Sequence, residues 1–209
     1  MPSSEIKNGS TTPKDTILFD QSRNEQMILS NGYKSIHRRL KTSWKITSNK
    51  TMITEDLLAP VKLLVIAGPA QKFSQGEFDT LRNYLINGGS LLVMMTEGGE
   101  NRFDTNINFL LEECGIMVNS DSVVRTVFYK YFHPKEALVS NGVLNRAISQ
   151  AAGKAIYSAD DDENNSQALT FVYPYGTTLN VSRLAVPVLS TGTVCYPLNR
   201  PVCAFHQVP

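Results

Sequence analysis

Residues 90–114 constrain the fold of this chain more than any other segment. They open with the apolar run LLVMM, which is too short for a helix and is typical of a strand buried on both faces. The run breaks at Gly98-Gly99, and apolar residues then recur at the spacing of a helix. These residues are Ile107, Leu110, Leu111 and Cys114. A buried strand, a glycine turn and an amphipathic helix are the repeating unit of α/β proteins.

The segments before residue 90 show the same alternation. Strand-like runs occupy residues 16–20, 44–47 and 61–67, and helical spacing follows residue 30 or 31, at 54–58, and after Ser74. Ser74 and Glu77 have the spacing of a capping box, and Phe73 and Phe78 stand at the positions of a hydrophobic staple. Gly88-Gly89 is suited to end that helix. We therefore predict an α/β fold with a mainly parallel, doubly wound sheet and helices on both faces.

The second half of the chain is less regular. We predict a strand at 122–127, an aromatic connection at 128–134 and a helix at 143–152. Five further strand-like segments, at 169–172, 178–181, 186–189, 193–196 and 202–205, are predicted to form antiparallel hairpins. Residues 15–209 are predicted to form a single domain. Residues 1–14 offer nothing to bury and are predicted to be a disordered tail.

Composition narrows the class of protein. The 209 residues include 20 Lys and Arg against 19 Asp and Glu, and a net charge of +1 does not favour nucleic acid or an anionic membrane as partner. The sequence has no apolar run long enough to span a bilayer. Three cysteines do not make a disulfide framework, so we expect free thiols at Cys195 and Cys203, even if a hairpin places them side by side. These features predict a soluble cytosolic protein.

The turn after residue 95 is where an α/β enzyme would carry its nucleophile. Class I amidotransferases and α/β-hydrolases place Cys or Ser there, with a downstream His as base. This turn offers only Thr96, and nothing near it in sequence resembles a base. Cys114 belongs to an apolar helical stripe, which predicts a core residue. We therefore expect no enzymatic activity.

Metal and cofactor sites are not predicted either. His37, His133 and His206 are scattered and form no pair at metal-ligand spacing. The acidic run at 160–163 lacks the alternating ligands and the glycine of a calcium loop, so we interpret it as solvated. No cofactor is expected.

A ligand-binding cleft is the alternative at the strand ends. Gly68 closes one predicted strand, and Glu97, Gly98, Gly99 and Arg102 follow the next. Such crevices bind sugars, nucleotides or amides in other α/β proteins, which makes a small-molecule binder with weak or lost catalysis the second hypothesis. Arg102 either contacts an anion or pairs with Glu97 or Glu100.

Several long motifs resemble a known family. They are GGENRFDTNINFLLEE at 98–113, YKYFHPKEALV at 129–139, GVLNR at 142–146 and PLNRP at 197–201, with shorter likenesses at 32–35 and 44–46. Together these segments are similar to the N-terminal GIFT domain of the intraflagellar transport protein 52 family. The likeness covers nearly everything after the N-terminal tail and is weakest at the acidic run.

The resemblance implies a Rossmann-like α/β fold related to amidotransferase-like folds. It also implies a non-enzymatic scaffold in intraflagellar transport complex B, required for assembly of cilia and flagella, with other subunits of that complex as partners. The implied location is the cytoplasm, the cilium or flagellum with its axoneme, and the basal body. Family members continue into a further strand, so this chain is expected to be an N-terminal fragment. The segment 202–205 is then expected to have an unpaired edge that allows self-association.

Two surfaces are candidates for partner binding. The first is the aromatic connection with Tyr129, Tyr131, Phe132 and His133, since interface anchors are often aromatic; the alternative is that these side chains cover a sheet edge. The second is the basic helix face with Lys34, Arg38 and Arg39, extended by Lys41 and Lys45. An acidic partner and a merely solvated face remain the two interpretations of this charge.

Overall fold

The computed structural model describes residues 15–127, 130, 132–153 and 169–208. The predicted tail at 1–14 and the acidic run at 160–163 lie outside these residues. Within them, no helix combines the length and the apolar character that crossing a membrane requires.

The described elements are short and alternate between helix and strand in the first half. In chain order they are β1 Thr16–Asp20, α1 Lys34–Leu40, β2 Lys45–Asn49, α2 Glu55–Leu58, β3 Val61–Ala67, α3 Gln75–Ile86, β4 Ser90–Met94, α4 Gly99–Phe103, α5 Asn108–Leu111, a 3-10 turn at Glu112–Cys114, β5 Ile116–Val118, β6 Val124–Arg125, β7 Glu136–Val139, α6 Arg146–Ala151, β8 Phe171–Pro174, β9 Leu179–Val181, β10 Val186–Ser190, β11 Cys195–Tyr196 and β12 Pro201–Phe205.

The first half forms a four-stranded parallel sheet in the order β2-β1-β3-β4. Ile17 lies opposite Ile46 on one side and Leu63 on the other. Every residue of β1 is buried, because the strand is central and both of its faces are covered. The predicted mixed α/β fold with a parallel sheet is confirmed.

Alternate residues of the strands pack into two separate cores. Leu18, Leu64 and Ile66 face one side, where they pack with apolar residues of α2, α3 and α5. Ile17 and Phe19 face the other side, together with Val65 and Ala67, and meet Tyr33, Leu40 and Trp44 around α1. A third cluster, formed by Val123, Ala137, Val139, Cys195 and Val202, lies in the second half.

Helix α3 begins as its sequence predicts. Ser74 Oγ accepts the backbone N–H of Glu77 at 3.4 Å, and Glu77 Oε2 accepts the backbone N–H of Ser74 at 3.0 Å. The rings of Phe73 and Phe78 lie 5.8 Å apart, as a staple requires. The capping box is confirmed; a cap of this kind stabilises a helix by about 1 kcal/mol.

The second half differs from the prediction in its pairing. Its strands form four antiparallel pairs, β10-β12, β11-β6, β5-β9 and β7-β8. The predicted antiparallel pairing is confirmed, but three of the four pairs join strands that are not neighbours in chain order, as the strands of a simple hairpin would be, and β5 and β7 were not predicted. A local pattern identifies a strand but not its partner, because pairing depends on which distant segment completes the core.

Two smaller expectations also need correction. The turn after β4 is itself helical, as α4, and the helix predicted at 107–114 is divided into α5 and the 3-10 turn. Cys195 lies opposite Arg125 and Cys203 opposite Leu189, so these cysteines are not cross-strand neighbours. Both are free thiols, and burial raises the pKa of each.

Candidate functional site

The carboxyl ends of the parallel strands are where α/β proteins usually bind ligands. Here the loop at 21–27 lies over this edge. Gln26 N–H donates to Gly68 O at 3.1 Å, and Ala70 N–H donates to Arg23 O at 2.8 Å. Thr96 Oγ1 donates to Gln26 Oε1 at 3.3 Å. The predicted cleft residue Gly68 is therefore covered by the chain itself.

Glu97, at the end of β4, is held by three donors. Its carboxylate accepts from Lys135 Nζ at 2.6 Å, Arg102 Nη1 at 2.8 Å and Ser122 Oγ at 2.9 Å. The hydrogen bond from Lys135 in particular lowers the pKa of Glu97, and those from Ser122 and Arg102 lower it further. The pairing of Arg102 with Glu97, one of the two sequence-based interpretations, is present.

Gly98 and Gly99 bring this turn into direct contact with residues 119–121. Gly98 N–H donates to Asp121 O at 2.9 Å. A Cβ on Gly99 would lie 2.4 Å from Asn119 O, and the residue has φ +48°, in the left-handed region. Glycine is thus required at 99 by a close backbone approach, and the turn packs on protein.

Asp121 fixes the segment on which the turn rests. Its carboxylate accepts from Thr177 Oγ1 at 2.7 Å, from Thr178 N–H at 2.8 Å and from Thr178 Oγ1 at 2.6 Å. Burial raises the pKa of Asp121, but these hydrogen bonds outweigh it and hold the pKa below its usual value. Sequence reasoning missed this residue because its partners lie more than fifty residues away.

A buried charged cluster under the loop at 21–27 was also missed. Glu77 is 2% exposed, pairs with Arg23 and accepts the N–H of Ile53 at 3.3 Å, in addition to capping α3. Burial raises the pKa of Glu77, but the hydrogen bonds from Ser74 and Ile53 and the Arg23 charge bring it below its usual value. The capping box pointed to Glu77; no local pattern pointed to Arg23.

Glu25 and Asp20 form the second part of this cluster. Asp20 accepts from Ser22 Oγ at 3.0 Å and from Asn49 Nδ2 at 2.8 Å. Glu25 is 7% exposed, and its Oε2 accepts Arg23 N–H at 3.0 Å. Burial raises the pKa of Glu25 to about 7, and the Asp20 carboxylate contributes to the shift. Among the described residues, no group of three or more His, Cys, Asp or Glu side chains is arranged to hold a metal ion.

The aromatic connection is only partly described. Tyr129 and Tyr131 lie outside the described residues. Phe132 is 60% exposed. The ring of His133 stacks on Tyr175 at 5.3 Å, and its Nδ1 accepts Lys135 N–H at 3.1 Å. His133 thus packs beside the lysine that holds Glu97.

Helix α1 packs on the face of the sheet that carries Ile17 and Phe19, and its last turn lies near the amino ends of the strands. Lys34, Arg38 and Arg39 are exposed, and α1 has no fully buried residue. Its end and the amino ends of the strands enclose an open groove of about 680 Å³. The groove is lined by Thr16, His37, Lys41, Trp44, Lys45, Ile46 and Pro60. Sequence reasoning noted the charges but could not foresee the groove, which exists only once β2 lies beside β1.

The segment predicted to carry an unpaired edge is β12. It pairs with β10, where Phe205 lies opposite Val186, and both side chains are exposed. Val202 is buried in the second-half core. Within the residues that the structure describes, β12 has no second strand in its ladder, although β9 lies close to it.

Known proteins match this chain over nearly its whole length. Residues 16–209 match the IFT52 GIFT domain family. The mouse intraflagellar transport protein 52 homolog is 61% identical over 93% of this chain, and the human homolog is 60% identical over the same share. This chain spans less than half of each relative, 46% of the mouse protein and 45% of the human one.

A solved structure agrees with the sequence matches. The structure titled mmIFT52 N-terminal domain superposes with a TM-score of 0.84 at 57% identity, and the match covers 93% of this chain and 81% of that one. The chain belongs to the IFT52 GIFT domain family.

Proposed function

We propose that this chain is a non-enzymatic protein-interaction domain that acts as a scaffold in intraflagellar transport complex B. Its relatives are named intraflagellar transport proteins, which supports a role in assembling cilia and flagella. In this proposal its partners are other subunits of that complex, with neither nucleic acid nor membrane insertion involved. Its place in the cell is the cytoplasm, the cilium or flagellum with its axoneme, and the basal body.

One observation carries the non-enzymatic part of the proposal: the turn that would hold a nucleophile is used to join the two halves of the chain. Glu97 binds three donors from Arg102, Ser122 and Lys135, and Gly99 packs against the backbone of Asn119. Nucleophilic catalysis needs a free nucleophile beside a base, whereas here the Thr96 hydroxyl donates to Gln26 and Glu97 is held by three donors, which supports a non-enzymatic role.

The same contacts weigh against the alternative of a sugar, nucleotide or amide site. A ligand at the carboxyl edge would have to displace the loop at 21–27 from Gly68 and the turn from residues 119–121. No contact at this edge favours such a ligand over the protein groups already there.

The architecture is consistent with a Rossmann-like, doubly wound fold. The strand order β2-β1-β3-β4 reverses direction between β1 and β3, and apolar cores cover both faces of the sheet. We further propose that residues 15–209 act as one domain. Partner contacts are proposed at the aromatic connection and at the basic helix, and self-association at the outer side of β12.

Deletion tests the proposal. Complex B is reconstituted with the full-length protein and with a variant that lacks residues 1–209, and its subunit composition is measured. We expect the deletion to lose at least one subunit; a complete complex would count against the scaffold role. In parallel, a metabolite library is screened by thermal shift. We expect no stabilising ligand, and a shift abolished by Glu97→Ala or Arg102→Ala would favour the binding alternative.

A further inference from the structure

The charge of this chain is concentrated in one segment. Residues 26–54 contain six basic residues and no Asp or Glu, which gives the segment +6 in a chain whose net charge is +1. The basic residues are Lys34, Arg38, Arg39, Lys41, Lys45 and Lys50. The segment comprises α1 and β2, and β2 is the outermost strand of the four-stranded sheet. The positive charge therefore lies at the β2 side of that sheet.

Part of this charge has no ion pair within the described residues. The ion pairs between described residues involve other cations, and none includes Lys34, Arg38 or Lys45. Arg38 lies in the last turn of α1, where a cation is favourable, whereas Lys34 begins the helix four residues before Arg38, a spacing at which like charges repel. Lys34, Arg38 and Lys45 are exposed and are therefore available to an anion outside the chain.

The groove beside α1 adds an apolar surface to the charge. Lys41 and Lys45 line it together with Trp44, Ile46 and Pro60. Trp44 is half-buried, with one part packed against the core. Basic groups around an aromatic and aliphatic wall suit a peptide that has carboxylates and a bulky apolar side chain, since such interfaces combine a buried anchor with a charged rim.

The position of the groove distinguishes it from a small-molecule site. It lies at the amino ends of β1, β2 and β3, near Thr16, Lys45 and Pro60. α/β proteins usually bind their small-molecule ligands at the carboxyl ends of the strands, so the groove is not at the usual place for such a ligand. Asp15 is the neighbouring acidic residue, and its backbone oxygen accepts Lys45 N–H at 2.9 Å.

We propose that the groove between α1 and the amino ends of the strands binds an acidic peptide segment of a partner protein. A carboxylate of that segment contacts Lys45, and an apolar side chain packs on Trp44. The inference rests on the proposed scaffold function and names its contact surface. A peptide is favoured over nucleic acid or anionic lipid because Trp44, Ile46 and Pro60 offer a site for an apolar side chain beside the basic groups.

The fluorescence of Trp44 tests the proposal directly, because it is the only tryptophan in the 209-residue chain. The chain is titrated with a short synthetic peptide in which Glu residues flank a Leu-Leu pair. Parallel titrations use the same peptide with Lys for Glu, oligothymidine, and phosphatidylcholine vesicles containing phosphatidylserine. We expect saturable change in Trp44 emission with the acidic peptide alone. A response to oligothymidine or vesicles but not to the peptide would overturn the proposal.

Matched charge reversals locate the contact. Lys45→Glu lies in the groove, whereas Arg39→Glu and Lys50→Glu make the same change elsewhere in the basic segment. We expect Lys45→Glu to weaken peptide binding by roughly fivefold or more and the two controls by less than about twofold. Equal weakening by all three would mean that net charge, and not the groove, binds the peptide.

Reconstitution of complex B separates this inference from the proposed function. If deletion of residues 1–209 disrupts the complex while Lys45→Glu has no effect on it, the groove assignment fails and the scaffold role stands. If the deletion itself has no effect, the scaffold role fails, whatever the peptide titration shows. Circular dichroism of Lys45→Glu at matched concentration verifies that the variant is folded.

Discussion

The two edges of the parallel sheet use their charged residues in opposite ways. At the carboxyl edge, Glu77 and Glu97 are largely buried, and each has a partner from a distant part of the chain, Arg23 for Glu77 and Lys135 for Glu97. At the amino edge, Lys45 is exposed beside Trp44 and has no ion pair within the described residues. The first edge is joined to distant parts of the chain, whereas at the second Lys45 is exposed with respect to the described residues.

A partner in the proposed groove would reverse the usual arrangement of an α/β protein. The carboxyl edge normally carries the ligand, because loops there can be varied without disturbing the sheet. In this chain, the loop at 21–27 and the turn at 96–102 fill that edge and connect the sheet to the second half. The groups that would face a ligand at this edge contact other parts of the chain, and a fold does not by itself determine function.

The largest loss of stability is expected when the Arg23–Glu77 pair at the carboxyl edge is broken. Glu77→Ala removes the partner of Arg23, the cap of α3 and the acceptor for Ile53 N–H. We expect a loss of about 3–5 kcal/mol in the free energy of unfolding, because a buried guanidinium is left unpaired. Urea denaturation measures it. Glu113→Ala, which breaks the exposed pair with Arg82, should cost less than about 1 kcal/mol. Similar costs for the two variants would show that burial does not distinguish them.

The second largest loss of stability is expected from a steric clash at Gly99. Gly99→Ala places a Cβ 2.4 Å from Asn119 O at a residue with φ +48°. We expect a loss of about 2–4 kcal/mol from the left-handed conformation and the clash together. Gly88→Ala is the control, since its φ is +85° and no atom lies within 4 Å of the added Cβ. It should lose only about 1–2 kcal/mol. If the two unfold at the same urea concentration, the turn at 96–102 is not closely packed.

The pH dependence of stability depends on Glu25. Its pKa is raised from 4.5 to about 7 in the folded protein, so the unfolded state holds fewer protons between these values and stability falls as pH rises. Glu25→Gln should remove this slope and gain about 1–3 kcal/mol at a pH of about 8. Denaturation curves across the pH range measure it.

Glu97→Gln provides the control of opposite sign. The pKa of Glu97 is lowered in the folded protein, so its contribution is lost as pH falls through that pKa. This variant should change stability mainly at acid pH. A wild-type protein whose stability does not decline from mildly acid to neutral pH would contradict the account of Glu25.

The smallest effect is expected at the amino edge. Lys45→Glu changes an exposed residue that holds no ion pair within the described residues. We expect the free energy of unfolding to stay within about 0.5 kcal/mol of wild type. A loss as large as that of Gly99→Ala would mean that the basic groove is part of the internal framework, and the contrast between the edges would no longer hold.

The sequence predicts the first half of the fold well because its information is local. Periodicity located the strands of the parallel sheet, and Ser74 with Glu77 marked the start of α3. The second half was predicted poorly, since β6 has only two residues and pairs with β11, some seventy residues away. Short strands acquire their conformation from packing, and no local pattern reports that packing.

The candidate sites show the same difference between features set by local sequence and features set by contacts with distant segments. The residues of the turn were found because Gly98-Gly99 interrupts a strand-like run, and the pairing of Arg102 with Glu97 is a local contact. The partners that define its role, Ser122 and Lys135, come from other segments. The basic residues could be identified from the sequence. The groove could not be predicted, because it forms only where Trp44 and the start of β2 come together with other segments.

Hydrogen–deuterium exchange tests the central claim most directly. Exchange is compared between the full-length protein alone and the same protein in reconstituted complex B. We predict slower exchange in the complex at residues 34–46, which form α1 and the groove, and unchanged exchange at 96–102, where the turn is already protected by the chain itself. Protection that appears at 96–102 and is absent at 34–46 would contradict the account.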